Sequence, residues 1–184
     1  SSSGAVSLAK KSFYYSTMNA GQKYDLDFGT AKVPFTEMSL TPSVALSQVD
    51  IVVAVIDDPP KNLSDVYKYI QITLKNIDDT QITSPHIKFK VNKTWVSVSG
   101  YDATTISLYR YEESVWRKIT TQLLTEDSTD YLYFASVPGF SYFAITAEAA
   151  LPAVQEAAVE SEPVAEDTFG VQEVVEIPEG AVSG

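Results

Sequence analysis

The chain has 184 residues, enough for one domain of ordinary size and a tail. Thirteen Lys and Arg stand against 24 Asp and Glu, and the net charge of −11 excludes a large basic face for nucleic acid. With no Cys and a single histidine, His86, disulfide staples, thiolate zinc sites, Cys nucleophiles and His-rich catalytic clusters are excluded as well, whereas 45% hydrophobic and 11% aromatic residues describe a chain that can bury a core.

No apolar run of about 18 residues occurs, so no direct membrane span is expected in this chain. It begins at Ser1 without a charged n-region or an apolar h-region, and it reads as a mature piece of something longer. Ser1-Ser2-Ser3-Gly4 reads as the remnant of a flexible linker, assigned to residues 1–9.

From residue 10 to 147 the dominant pattern is period two. Lys23–Phe28 and Thr36–Leu40 alternate polar with apolar, as strands with one wet face do. Leu46–Ile56 is richer in β-branched residues, has no polar residue after Asp50, and reads as a central strand. Val66–Leu74, Ile87–Val91, Thr94–Val98 and Thr105–Tyr111 alternate again, followed by Val115–Ile119, Tyr131–Val137 and Ser141–Thr146. Turn chemistry separates them: Asn19-Ala20-Gly21, Asp57-Asp58-Pro59-Pro60, Ile77–Thr80, Ser99-Gly100, Glu112–Ser114, Glu126–Ser128 and Pro138-Gly139. About ten short strands without intervening helices predict an all-β domain, an antiparallel β-sandwich Ig-like in general architecture, with an antiparallel barrel as the alternative.

The acidity belongs to residues 148–184, which hold nine Asp and Glu and no Lys, Arg or His, whereas residues 1–147 hold 15 acidic and 13 basic residues. Ala, Val and Pro dominate there, the composition of an extended acidic C-terminal tail. One segment, residues 168–178, breaks the pattern. Phe169, Val171, Val175 and Ile177 occupy alternate positions, so it could form a strand donated to a sheet edge, in the same molecule or in a neighbour.

Paired carboxylates at Asp57-Asp58, Asp78-Asp79, Glu112-Glu113 and Glu126-Asp127 fall in predicted turns, and none has the spacing of a calcium loop. His86 has no companion ligand, and no Gly-x-Ser-x-Gly elbow accompanies the serines. The expectation is a chain without catalytic residues, metal or cofactor. Two acceptor triplets, Asn62-Leu63-Ser64 and Asn92-Lys93-Thr94, are glycosylation candidates. The 11 tyrosines suit cross-strand ladders or sugar-stacking platforms.

The strings Ile87–Trp95, Thr105–Tyr111, Trp116 with Lys118–Thr121, Tyr131–Phe134 and Pro138–Ile145, with Val66–Ile72 upstream, resemble the PGF-pre-PGF domain of archaeal cell-surface proteins over roughly residues 10–147. The resemblance implies an extracellular, S-layer-associated module on the surface of an archaeon. The tail departs from that pattern, because it carries neither a Pro-Gly-Phe sorting signal nor a hydrophobic anchor. Within the motif, Pro138-Gly139 suits a type II turn with Gly at positive φ, Phe140 and Phe143 close the core, and Trp95 and Trp116 are available as large core aromatics. The functional expectation is a non-enzymatic structural module that resists unfolding while the tail sets its distance from the next element, partnered by copies of itself or other envelope proteins. The alternatives are a filament subunit built by strand donation and a carbohydrate-binding adhesin.

Overall fold

The computed structural model describes residues 8–151, so the predicted strand positions Phe169, Val171, Val175 and Ile177 lie outside the described residues. Eleven strands form two antiparallel sheets. In chain order they are β1 Lys10–Met18, β2 Tyr24–Asp27, β3 Phe35–Pro42, β4 Leu46–Ile56, β5 Val66–Lys75, β6 Ile82–Asn92, β7 Tyr101–Glu112, β8 Val115–Ile119, β9 Gln122–Glu126, β10 Asp130–Ser136 and β11 Tyr142–Ala149. One sheet has the order β1-β4-β5-β11-β7-β8 and the other β2-β3-β6-β10-β9. The predicted antiparallel β-sandwich is the observed architecture.

The two inner faces meet in one core. Phe13 of β1 packs on Phe28 at 5.1 Å between ring centroids, Phe28 on Phe35 at 6.1 Å, and Phe35 on Phe143 at 6.3 Å, so edge-to-face aromatics cross the layer gap twice. Ile51, Ile70, Ile87, Phe89 and Phe143 are fully buried around them, each burial stabilising the fold by about 1.5–3 kcal/mol. Leu46–Ile56 pairs with β1 on one side and β5 on the other, an interior strand as its β-branched run predicts.

Antiparallel pairing also decides where the chain enters and leaves. Lys10 stands opposite Ala54, Ala54 opposite Gln71, and Gln71 opposite Tyr142. β1 runs away from that line in one direction and β11 in the other, reaching Ala149. The chain reaches Lys10 from the side toward which β11 runs, with Ala9 O accepting from Val55 N. Entry and exit therefore share one end of the six-stranded sheet.

Three readings of the sequence need correction. Thr94–Val98 is not a strand but the body of helix α1, Lys93–Val98. Asn92 caps it, accepting from Thr94 N and Trp95 N, and two satisfied amides outweigh the strand preference of a Thr-Trp-Val run. Strand β1 is hidden in the sequence because three consecutive aromatics, Phe13, Tyr14 and Tyr15, blur the alternation; Phe13 and Tyr15 pack against the core while Tyr14 is 58% exposed. Strand β9, with Leu123 and Leu124 adjacent, also lacks a period and exists because β10 pairs with it.

Candidate functional site

Alternation in β5, β7 and β11 sends Ile70, Leu108 and Phe143 inward, and therefore sends Tyr69, Tyr109, Tyr111 and Tyr142 to the outer face of the six-stranded sheet. Register aligns two of these, Tyr142 and Tyr111, in one row with Gln71 and Trp116: Gln71 opposite Tyr142, Tyr142 opposite Tyr111, and Tyr111 opposite Trp116. Trp116 packs on Tyr111 at 5.1 Å and on Tyr69 at 5.9 Å, and Tyr111 on Tyr142 at 6.2 Å. Gln71 donates from Nε2 to the Tyr142 hydroxyl at 3.3 Å. Ala144, the neighbouring outer position of β11, is wholly buried although it faces away from the core, because larger side chains flank it. The result is a half-buried aromatic tray.

The loop between β4 and β5 is fastened to this tray. Trp116 Nε1 donates to Lys61 O at 2.8 Å, and the Tyr69 hydroxyl accepts from Leu63 N at 2.8 Å while donating to Leu63 O at 3.3 Å. Asn62, exposed, lies between the two fastened residues. Trp116 is consequently no core aromatic: its indole N–H needs an acceptor, and the open face supplies a backbone carbonyl.

Trp95, unlike Trp116, packs against the core. It sits half-buried at the margin of the core, held between Tyr67 at 4.8 Å and Tyr101 at 4.7 Å. The second acceptor candidate, Asn92, is next to it and already occupied. Its Oδ1 holds the two helix amides, and its own N–H donates to the Tyr67 hydroxyl at 3.3 Å.

The Pro138-Gly139-Phe140 segment crosses from β10 in one sheet to β11 in the other, and Asp79 crosses from β5 to β6 in a single 3-10 turn, Asp79–Gln81. Asp79 Oδ1 accepts from Phe140 N at 2.9 Å, and Oδ2 accepts from Arg110 Nη2 at 2.9 Å. Arg110 is 8% exposed and donates its other terminal nitrogen to Glu112 at 2.8 Å; its Nε has no partner among the described residues. Gly139 does not adopt positive φ, so the type II turn expected there is absent. Glycine is required for space instead, because Asp79 lies where its Cβ would go. Phe140 and Phe143 are buried as expected.

The remaining carboxylates serve turns. Asp78 caps the 3-10 turn, accepting from Thr80 N at 3.0 Å. Asp127 accepts from Thr129 N and Asp130 N, both at 2.8 Å, and these bonds hold its carboxyl below the usual range. Thr104 does the same for Asp102. Asp57 and Asp58 are exposed in the β4–β5 loop. Among the described residues, no three His, Cys, Asp or Glu cluster at metal-binding distance. His86 packs at a tilt against Phe134 with 5.1 Å between ring centroids, and burial pushes its imidazole below the ordinary value. Burial likewise raises the phenol of Tyr133, whose hydroxyl crosses the core to donate to Ala103 O at 2.8 Å. No helix among the described residues is long and apolar enough to cross a membrane.

In the sequence Trp116, Asn62 and the tyrosines stand as separate features; the structure packs Trp116 on Tyr111 and fastens the loop around Asn62 to Trp116 and Tyr69. Tyr69 and Gln71 as members of that face, and Phe140 and Arg110 as the partners of Asp79, leave no local trace in the sequence, since strand register and loop closure bring them in. Comparison of the chain with protein-family models, with curated proteins and with solved structures gives no match.

Proposed function

We propose that this domain is a non-enzymatic structural module of an extracellular cell-surface protein, archaeal as the PGF-pre-PGF resemblance implies. The observation that carries the reading is the use made of the Pro138-Gly139-Phe140 segment. The residues on which the resemblance rests are engaged in closing the fold: Phe140 N is fastened to Asp79, and Phe140 and Phe143 fill the core. Chain entry and exit at one end of the six-stranded sheet suit a module that projects from its attachment, since tension between the two ends peels strands from the sheet rather than shearing them. The reading is tested on cells of the source organism with an antibody to the domain. Labelling of intact cells, with loss of the epitope on external protease treatment, is expected; an epitope confined to the cytosolic fraction overturns it.

A second reading, a filament subunit built by strand donation, is favoured by one edge. β1 is a nine-residue edge strand beginning with Lys10 and Lys11, and the nine residues Phe169–Ile177 carry Glu173 and Glu176. Deleting residues 168–178 abolishes assembly if this reading holds, and a polymer that survives the deletion in electron micrographs removes it.

A further inference from the structure

We infer that Asn62 is an N-glycosylation site and that the sugar attached there lies on the outer aromatic face against Trp116. The inference rests on the extracellular reading for its supply of lipid-linked oligosaccharide. The triplet Asn62-Leu63-Ser64 is exposed at Asn62 and Ser64, and the side chain of Asn62 bonds no other described residue. Both neighbours are pinned to aromatic side chains, Lys61 by the Trp116 indole at 2.8 Å and Leu63 by the Tyr69 hydroxyl at 2.8 Å. Those two rings are 5.9 Å apart, so the backbone at Asn62 bridges them. A sugar on Asn62 starts within reach of an indole face, and the ring row continues through Tyr111 and Tyr142.

The chemistry of both partners fits. A pyranose presents one face of C–H groups carrying partial positive charge, which the negative face of an aromatic ring attracts. The hydroxyls around the sugar rim find Tyr142 and Gln71. Attachment forms a bond between Asn62 Nδ2 and C1 of the sugar as the bond from C1 to the lipid phosphate oxygen breaks. The lipid phosphate leaves with that electron pair, and the amide proton passes to a base of the transferase. The occupant is therefore a glycan carried by this chain, and it covers apolar surface that the sheet leaves half open.

The other triplet is a built-in control. Asn92 holds its carboxamide against Thr94 N and Trp95 N as a helix cap, and Thr94 lies in the first turn of α1, so the folded domain does not offer it to an enzyme.

The test uses the folded full chain, an oligosaccharyltransferase and a polyprenyl-linked oligosaccharide, read by intact mass and then by proton NMR. Wild type and Asn92→Gln gain one glycan, and Asn62→Gln gains none. The sugar protons on the folded protein shift upfield of their positions on an unfolded glycopeptide, and Trp116→Leu removes the shift while the mass gain stays. Tyr111→Ala, which weakens the support under the indole, reduces the shift and serves if Trp116→Leu does not fold. No transfer to Asn62 in the folded chain, or transfer with unshifted sugar protons, overturns the inference. Either failure leaves the extracellular reading to the labelling of intact cells, which requires no glycan.

Discussion

The carboxylate of Asp79 fills the space that a side chain on Gly139 would need: a Cβ there would stand 2.5 Å from Oδ2 and 2.6 Å from Cγ. The same carboxylate holds Phe140 N and Arg110, so a single acidic residue joins two crossovers between the sheets and a buried cation. Moving it aside breaks both bonds at once.

Gly139→Ala is therefore expected to lower stability by about 1–3 kcal/mol, the cost of pushing the Asp79 carboxylate off its bonds to Phe140 N and Arg110. Asp79→Ala costs a similar amount, because Arg110 stays buried with one partner fewer. In the double mutant the clash is gone, so the two losses are less than additive by about 0.5–3 kcal/mol. Urea melts of the four proteins measure this; strict additivity would show that Asp79 is not what excludes the side chain.

Asn92→Ala removes the cap of α1 and is expected to cost about 1 kcal/mol, whereas Asn92→Asp keeps an acceptor in place and stays near wild type. Equal losses in thermal melts of the two variants would sink the capping role.

Stability should fall on acidification in two stages. His86 in the folded domain resists protonation because of burial, so its contribution is complete above the unfolded value of 6.5 and is lost as pH drops below it. Asp127 and Asp102, held low by hydrogen bonds from Thr129 and Thr104, contribute fully above 3.8 and lose that contribution as pH falls further. His86→Gln flattens the upper stage and leaves the lower one; denaturant midpoints from pH 8 to pH 3 read both.

Phe143→Ala should destabilise the domain by about 3–5 kcal/mol, the range for a large aromatic in a closed core. Trp116→Ala should cost less despite the larger ring, since Trp116 stands on the open face. The reverse order in denaturant unfolding would place Trp116 inside after all.

Much of the fold was legible because a half-buried strand writes its period directly into the chain. Leu46–Ile56 and Val115–Ile119 have the same ends in the structure as in the reading of their alternation. Where two constraints share a segment, the pattern misleads: Thr94–Val98 alternates like a strand, yet the Asn92 cap and the end of β6 turn it into a helix. The Asp79 and Gly139 pair shows another limit, since the two are 60 positions apart and neither residue's neighbours announce the other.

The amino-acid sequence alone determined that residues 8–151 form an antiparallel β domain around a buried hydrophobic core, since side-chain period and turn residues are local properties. Only the tertiary structure decided which side of the sheet each aromatic serves, why Gly139 must be glycine, and that the loop carrying Asn62 is fastened to Trp116 through Lys61 O. Those depend on strand register and on the closing of loops across long stretches of chain, where the free energy lies in contacts between residues that do not know of each other in sequence.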